Sequence, residues 1–332
     1  MTAGLLSRPP EEGARRLALS ILEQAAEARP RLADAADAEA LHDFRVGLRR
    51  LRSCLRAYDG FLNDAVPKKL AKRLKKLAAS TGPGRDTEVQ IEWLRGRSPH
   101  LSGHHRSGLS WLLARLEGRM RHAYEDMREE IEQEFGEVEK DLRRRLSVYK
   151  TEVHLTGDPG ATLATVTAEI LHRQIAELES HLARVEDEDD EGQAHEARIS
   201  AKRVRYLLEP LVEEITGAGP VVKRFKALQD ILGELHDAHV LERELADAVE
   251  EAAAQRARKI LEISLDHAPD ENLLRAERRR AREAGLIALA RLNRARRDRL
   301  FWSLDNEWLD GKAGDFLREV EGLAERMVAA EA

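Results

Sequence analysis

An internal repeat constrains the fold of this chain more than any other feature of its sequence. Two segments, HDFRVGLRRLR from residue 42 and HEARISAKRVR from residue 195, share the pattern His-x2-Arg-x3-[Arg/Lys]-Arg-x-Arg at an offset of 153 residues. The matched pairs are His42 and His195, Arg45 and Arg198, Arg49 and Lys202, Arg50 and Arg203, and Arg52 and Arg205. A chain that contains two copies of one unit is expected to fold as two similar halves.

A second block is repeated downstream of each copy, in the same order and at an offset of 151 residues. The matched positions are Lys72 and Lys223, Arg73 and Arg224, Lys75 and Lys226, Leu77 and Leu228, and the pairs Arg85-Asp86 and His236-Asp237. Two blocks in the same order are hard to explain by chance. The stretch HLTGDPGAT, residues 154–162, contains the Gly and Pro residues that end helices. We therefore predict two halves, residues 1–156 and residues 157–332.

The composition predicts an all-α protein. Aromatic residues make up only 4% of the chain and charged residues 35%, which suits long helices and leaves few strand formers. Each half contains about four segments with apolar residues at helical spacing, separated by short Gly- and Pro-containing breaks. We expect each half to form an up-and-down antiparallel helical bundle.

The short apolar segments and the single cysteine indicate the cellular compartment of the protein. No window approaches 18 consecutive apolar residues, and the N-terminus lacks an apolar run of signal-peptide length. We therefore expect a cytoplasmic protein without a transmembrane helix. Cys54 cannot form an intrachain disulfide and is predicted to be a packing residue. The aromatic segment with Phe301, Trp302 and Trp308 is predicted to lie in the core or at a helix end.

The first repeated helix separates its charged and apolar residues onto two stripes. At about 100° per residue, one stripe about 80° wide holds four arginines: Arg45, Arg49, Arg52 and Arg56. A separate stripe holds five apolar residues: Leu41, Phe44, Leu48, Leu51 and Leu55. The second copy shows the same separation, with Ala197, Ala201, Val204 and Leu208 on its apolar stripe. The apolar stripes are predicted to face the core, which leaves a cationic stripe beside each.

The segment VPKKLAKRLKKLAAS from residue 66 adds a face of five lysines: Lys68, Lys69, Lys72, Lys75 and Lys76. Residues 42–76 carry a net charge of +8, whereas the whole chain carries −6. Like charges at helical spacing repel one another, so we expect an anion to lie along these faces. The alternative is that they pair with an acidic helix, such as EDMREEIEQEFGEVEKD from residue 125.

Phosphate polymers match this pattern best among anions. Arg and Lys form charge-assisted hydrogen bonds to phosphate oxygens without a glycine-rich loop. The chain has neither a Gly-x4-Gly-Lys-[Ser/Thr] loop nor a Gly-x-Gly-x-x-Gly turn, so nucleotide hydrolysis is not indicated. The basic helices carry few aromatic residues on which bases could stack. A scaffold for RNA or for an acidic protein remains an alternative.

The histidines and aspartates leave several roles open. His42 and His195 could form structural hydrogen bonds, contact phosphate or bind a metal, but a metal site needs three or four ligands. Few carboxylates accompany the basic faces to hold the Mg²⁺ that phosphate hydrolysis would use. Asp86 is expected near the start of a helix, where Thr87 and Gln90 are spaced like a capping box. We predict no catalytic role, metal or cofactor; a metal-dependent phosphohydrolase is the alternative.

These motifs resemble those of the CHAD family, the conserved histidine α-helical domain. The resemblance rests on the paired His-Arg helices, the Arg85-Asp86 pair and the segment LQDILGELHD, residues 228–237, and it extends over residues 10–310. It implies two four-helix bundles related by a pseudo-two-fold axis, with a basic central groove or pore that binds inorganic polyphosphate. It also implies association with polyphosphate granules and with other granule proteins.

Carried over position by position, the resemblance implies fourteen polyphosphate-binding residues. Those of the first half are His42, Arg45, Arg49, Arg50, Arg52, Lys72 and Lys75, and those of the second are His195, Arg198, Lys202, Arg203, Arg205, Lys223 and Lys226. His236 stands where the family often has another polar residue. We interpret the chain as a non-enzymatic polyphosphate-binding protein that interacts with neither membranes nor nucleic acids.

Overall fold

The computed structural model describes residues 4–34, 37–148, 161–267, 270–279 and 282–329, and in these ranges the protein is built from α-helices without strands. The helices are α1 (Pro10–Arg31), α2 (Ala38–Ala57), α3 (Asp59–Leu62), α4 (Lys68–Ser80), α5 (Gly82–Arg95), α6 (Arg106–Leu146), α7 (Leu163–Leu182), α8 (Glu191–Leu208), α9 (Ala218–Ser264), α10 (Glu271–Arg279), α11 (Arg282–Trp308) and α12 (Gly314–Ala329). Two short 3-10 helices span Ser98–His100 and Glu209–Leu211. The all-α prediction is confirmed.

Local sequence explains where several helices begin. The Asp37 carboxylate accepts hydrogen bonds from the backbone N–H groups of Glu39 and Ala40, which caps α2. At α7, Thr162 and Thr165 bond reciprocally as a capping box. The capping box predicted at Thr87 is wrong: α5 already begins at Gly82, and the Thr87 hydroxyl donates to the carbonyl of Pro83 inside that helix.

The repeated helices bury the predicted apolar stripes. In α2, Phe44, Leu48 and Leu51 are fully buried, and the Phe44 ring lies edge-on to Phe135 of α6 at 4.9 Å between centroids. The apolar stripe of α8 is buried as well: Ala197, Ala201, Val204 and Leu208. Cys54 is buried as predicted. Burial of these stripes fixes the rotation of α2 and α8 and thereby the direction of their charged faces.

Two apolar clusters hold the helices together. The larger one combines residues from both predicted halves, and the smaller one lies between α5, α6, α9 and α11. At the crossing of α6 and α11, a Cβ atom added to Gly108 would lie 2.3 Å from the Arg282 carbonyl oxygen, and one on Gly285 would lie 2.2 Å from that of His105. Only glycine allows the two backbones to approach this closely.

Polar contacts also join the predicted halves. The Tyr58 and Thr167 hydroxyls lie 2.8 Å apart in the interior, and the Glu214 carboxylate accepts from the backbone N–H groups of Leu5 and Leu6. Helix α2 packs on α8, α1 on α7, α5 on α9 and α6 on α11. The predicted boundary at residues 156 and 157 lies outside the described residues. The division into halves and their pseudo-two-fold relation stay predictions.

The aromatic segment near the end of α11 is only partly buried. Trp308 is buried and Phe301 packs partly against the core, but Trp302 is 68% exposed, so its predicted place in the core or at a helix end is wrong. Within the described ranges, no helix is long and apolar enough to cross a membrane.

Candidate anion-binding site

The charged faces of α2 and α8 meet where these helices pack against each other. Burial lowers the pKa of Arg198 and of Lys202 in α8, and Arg49 of α2 lies close enough for its positive charge to lower both further. Arg45, one turn before Arg49, has its pKa lowered by burial and then by Arg49. We call Arg45, Arg49, Arg198 and Lys202 the cationic centre. It brings together side chains that lie about 150 positions apart in the sequence.

The guanidinium groups of the cationic centre lack partners in the part of the chain that the structure describes. Arg45 Nη1, Arg49 Nε and Arg198 Nε are buried and form no hydrogen bond there. None of the four residues forms an ion pair with a described carboxylate. Buried donors without acceptors cost free energy, and phosphate oxygens are acceptors of matching charge and geometry. The charge and the free donors of the centre are those that an anion would match.

Lys202 is the most perturbed group of the centre. Burial lowers its pKa to about 7, and the charges of Arg198, Arg49 and Arg205 contribute in that order, against an opposing effect of Asp237. Arginine keeps its proton under all such conditions. Lys202 therefore exchanges its charge near neutral pH.

Two aspartates lie beside the centre. Burial raises the pKa of Asp237 in α9; nearby Arg198 opposes this shift, and the charge of Asp86 in α5 adds to it. Asp86 also acts on the pKa of Arg45 and of Arg198. The repeated pairs Arg85-Asp86 and His236-Asp237 thus converge on the same place. Their carboxylates offset part of the positive charge without forming an ion pair with the centre.

Three histidines lie beside the cationic centre: His42, His195 and His236. His42 is exposed and lines a cleft of about 340 Å³ together with Arg45, Arg49 and Tyr124. The His195 ring lies 5.1 Å from that of His236. Burial, followed by the charges of Arg198 and His195, lowers the pKa of His236 to about 4, so His236 is neutral at physiological pH.

Two of the predicted ligands face away from the centre. Arg50 Nη2 lies 2.9 Å from Glu209 Oε1, and Arg203 Nη1 lies 3.1 Å from Glu177 Oε2. Both residues occupy the eighth position after the motif histidine, which places them about 100° from the adjacent cationic position on a helix. They form ion pairs that join α2 and α8 to neighbouring elements.

The remaining predicted ligands lie outside the centre. Arg205 stacks on Tyr206 at 4.9 Å from the ring centroid and lies 3.9 Å from Glu209. Arg52 and Lys75 line a second cleft of about 400 Å³. The other lysines are exposed on α4 and α9: Lys72, Lys223 and Lys226.

Only some of the basic residues of α4 form ion pairs with an acidic helix. Arg73 Nη2 lies 2.8 Å from Glu134 Oε2, and Lys76 Nζ lies 2.8 Å from Glu130 Oε2, both on α6. No described carboxylate forms an ion pair with Lys68, Lys69, Lys72 or Lys75. Their predicted apolar partners are buried opposite: Leu70, Leu74 and Leu77. Most of the lysine face therefore stays available to an external anion.

Comparison with known proteins identifies the family. The family model of the CHAD domain matches residues 16–246, more than two thirds of the chain. The chain belongs to the CHAD family. The resemblance found in the repeated motifs is thereby confirmed.

A solved structure shares this CHAD fold. The crystal structure of the CHAD domain from the plant Ricinus communis matches with a TM-score of 0.58 and 22% sequence identity, over 81% of this chain and 91% of that one. This likeness shows the helical fold. No curated protein matches the chain.

Two side chains beside the centre of this CHAD domain escaped the sequence analysis. Arg296 of α11 lies near Asp237. It belongs to no motif, because it lies beyond the repeated blocks and beyond residue 246, where the family match ends. Tyr206 directly follows the second copy of the first repeated block. Its hydroxyl is buried without a partner in the described residues and acts on the pKa of Arg198. A search for aromatic residues flanking the motif would have found Tyr206.

Lys202→Met is expected to remove a pH dependence of stability that the wild-type CHAD protein shows above pH 7. Because the Lys202 pKa is lowered from 10.5 to about 7 on folding, the unfolded chain binds more protons between these values, and stability rises with pH. The wild-type protein should gain roughly 3 kcal/mol more than the variant between pH 7 and 9.5. Urea unfolding at both pH values measures this; equal gains would contradict the environment assigned to Lys202.

Proposed function

We propose that this CHAD protein binds inorganic polyphosphate without hydrolysing it. The observation that carries the proposal is the cationic centre, where arginines and a lysine from both repeated helices converge, partly buried and without ion pairs among the described residues. Such a cluster is costly in the free protein because like charges repel and are desolvated. A polymer that carries one negative charge or more per phosphate offsets both costs along its whole length.

The proposed path of the polymer runs through the cationic centre and onto the lysine-bearing helices. Within the centre, Arg45, Arg49, Arg198 and Lys202 would contact phosphate groups. The outer contacts would come from His42, Arg52, Lys72, Lys75, His195, Arg205, Lys223 and Lys226. We assign Arg50 and Arg203 a positioning role, because each already has a carboxylate partner.

The arrangement of carboxylates supports binding rather than hydrolysis. Metal-dependent phosphate hydrolysis uses several carboxylate or histidine ligands around the reacting phosphate. In the described ranges, His, Cys, Asp and Glu side chains nowhere form a group of three suited to a metal ion. Asp86 and Asp237 lie instead among arginines, where they modulate the positive charge. We therefore propose that the protein binds polyphosphate and is not an enzyme.

Few aromatic side chains lie at the centre, which favours polyphosphate over RNA. Tyr124 lines the cleft beside Arg45 and Arg49. Phe44 is buried in the core, and Trp93 is contacted by the guanidinium groups of Arg97 and Arg296 at 5.2 and 5.5 Å from its ring centroid. Bases would find few platforms for stacking, whereas phosphate alone satisfies the guanidinium groups. The proposal extends to the cytoplasm as the compartment and to polyphosphate granules, with their proteins, as the setting.

A competition experiment tests this choice of ligand. Labelled long-chain polyphosphate is bound to the purified protein at low salt, and RNA or tripolyphosphate is added at equal phosphate concentration. We expect unlabelled long-chain polyphosphate to displace the label at least about tenfold more effectively than either competitor. Tripolyphosphate is too short to reach all the contacts, and the bases of RNA find few platforms for stacking. Equal displacement by RNA would favour a nucleic-acid scaffold. Orthophosphate released with added Mg²⁺ or Mn²⁺ would favour the phosphohydrolase.

A further inference from the structure

The cleft beside the cationic centre is lined by two chemically different sets of side chains. Its volume of about 340 Å³ lies within the range of roughly 300–1000 Å³ that is typical of sites for small molecules. His42, Arg45 and Arg49 supply a basic set, and Leu41 and Tyr124 supply apolar and aromatic surface. Inorganic polyphosphate contains no apolar or aromatic group, so it would use only the basic set. The other set matches a ligand that carries a ring as well as phosphate.

The Tyr124 ring is held in this cleft by contacts with α5. Its hydroxyl donates a hydrogen bond to Glu88 Oε2 at 3.1 Å. A Cβ atom added to Gly84 would lie 2.6 Å from Tyr124 Cδ1, so only glycine lets the helix approach the ring this closely. Tyr124 is half-buried and lines the cleft with the rest of its surface. An aromatic ring already held in place can stack on another flat ring with little further loss of conformational freedom.

Two carboxylates line the same cleft. Glu88 pairs with Arg85 Nη1 at 2.7 Å and accepts from Tyr124. The Glu39 carboxylate, near the start of α2, has no ion-pair partner among the described residues. An ionised carboxylate only accepts hydrogen bonds, so it matches a base edge that presents two N–H groups side by side. Guanine presents N1–H and N2–H in this way, whereas adenine presents one amino group beside an acceptor nitrogen.

We propose that this cleft binds the nucleoside of guanosine triphosphate, with the phosphate groups in the cationic centre. The base stacks on Tyr124, and the Glu39 carboxylate accepts from N1–H and N2–H of guanine. The triphosphate contacts Arg45 Nη1 and Arg49 Nε, which are buried without a hydrogen-bond partner in the part of the chain that the structure describes. The inference rests on the proposed function in one respect, namely that the cationic centre binds phosphate groups.

A single nucleotide fits this cleft better than RNA does. Tyr124 provides a stacking platform for one base, whereas a polynucleotide needs a series of them. Because the nucleotide and polyphosphate would share Arg45 and Arg49, the two ligands would exclude each other. Nucleotide concentration would then regulate the binding of polyphosphate.

The binding of GTP, ATP and tripolyphosphate to the full-length protein tests the inference. Each ligand carries three phosphates, so isothermal titration calorimetry at one low salt concentration reports the contribution of the nucleoside. We expect GTP to bind at least about tenfold more tightly than tripolyphosphate, because stacking of a base on an aromatic side chain contributes at least this much. ATP should bind more weakly than GTP. GTP binding no tighter than that of tripolyphosphate would overturn the inference, and equal binding of ATP and GTP would overturn the choice of guanine.

Tyr124→Leu removes the stacking platform and keeps an apolar side chain beside Gly84. We expect the affinity for GTP to fall about tenfold, to the level of tripolyphosphate, while the affinity for tripolyphosphate changes less than twofold. The matched control Arg49→Gln should weaken the binding of both ligands. Equal losses for GTP and tripolyphosphate in Tyr124→Leu would show that the ring only supports the structure, and the nucleotide site would be wrong.

The binding of long-chain polyphosphate, measured on the same preparation, separates the two ideas. Tight polyphosphate binding, with GTP no better than tripolyphosphate, would refute the nucleotide site and leave the proposed function intact. GTP binding tighter than that of tripolyphosphate, without binding of long-chain polyphosphate, would refute the proposed function and retain the nucleotide site. We expect both ligands to bind and GTP to displace labelled polyphosphate from the wild-type protein more effectively than tripolyphosphate does.

Discussion

The double variant Arg49→Gln with Arg198→Gln is expected to bind long-chain polyphosphate about 100-fold more weakly than the wild-type protein. Each side chain donates charge-assisted hydrogen bonds, which contribute about 1.5 kcal/mol or more apiece when the partner is charged. The two residues come from different repeated helices and meet in the cationic centre. Their removal should therefore eliminate contacts to the polymer at the middle of its proposed path. A fluorescence titration at fixed salt measures the change.

The matched control is Arg50→Gln with Arg203→Gln. It removes the same two charges from the same two helices, but its side chains pair with Glu209 and Glu177 instead of facing the centre. We expect a loss of affinity below threefold, together with a small loss of stability from the broken ion pairs. Urea unfolding of both variants confirms that each is folded under assay conditions. Equal loss of affinity in the two variants would show that net charge, and not the cationic centre, determines binding.

The rotation of the repeated helices could be predicted because helical periodicity fixes it. Phe44, Leu48 and Leu51 recur at spacings that place them on one side of α2, and they are buried there. The same arithmetic separates Arg50 from Arg49 by about 100°. The motif, taken as a unit, nevertheless grouped Arg50 with the ligands. The periodicity of the helix was a better guide to the direction of this side chain than membership in the motif.

The meeting of the two cationic faces could not be predicted from either segment alone. It depends on α2 packing against α8 and on α5 packing against α9, and such long-range packing leaves no local pattern in the sequence. The internal repeat indicated that equivalent faces exist but not that they share one space. Arg296 shows the same limit, because α11 brings it beside Asp237 from outside both repeated blocks.

Errors at single residues had local causes. Thr87 and Gln90 have the spacing of a capping box, yet α5 begins five residues earlier at Gly82, with Pro83 in its first turn. Proline in the first turn is itself a strong start signal, and it outweighs the capping pattern here. Trp302 was grouped with two aromatic neighbours, although its place on α11 turns it outward. Adjacent residues on a helix point in different directions, so a cluster in sequence is no cluster in space.

The salt dependence of binding is expected to be steep. Each Lys or Arg that contacts a phosphate displaces condensed counterions, so the logarithm of the binding constant falls linearly with the logarithm of salt concentration. With the coefficient of roughly 0.7 that applies to single-stranded polyanions, the four residues of the cationic centre alone give a slope of about −3, and all ten Lys and Arg residues of the proposed path give about −7. The centre alone should then reduce affinity about 50-fold between 50 and 200 mM salt, and the outer contacts should add to this loss. Arg49→Gln with Arg198→Gln should make the slope shallower by about 1.4.

A titration of the wild-type protein with labelled long-chain polyphosphate across this salt range tests the central claim most directly. The slope counts the phosphates that the protein neutralises, independently of any assumption about the path of the polymer. We predict tight binding at 50 mM salt and a slope of about −3 or steeper. Absence of binding at 50 mM salt, or a slope near zero, would mean that the cationic centre does not receive a phosphate polymer, and the proposed function would be wrong.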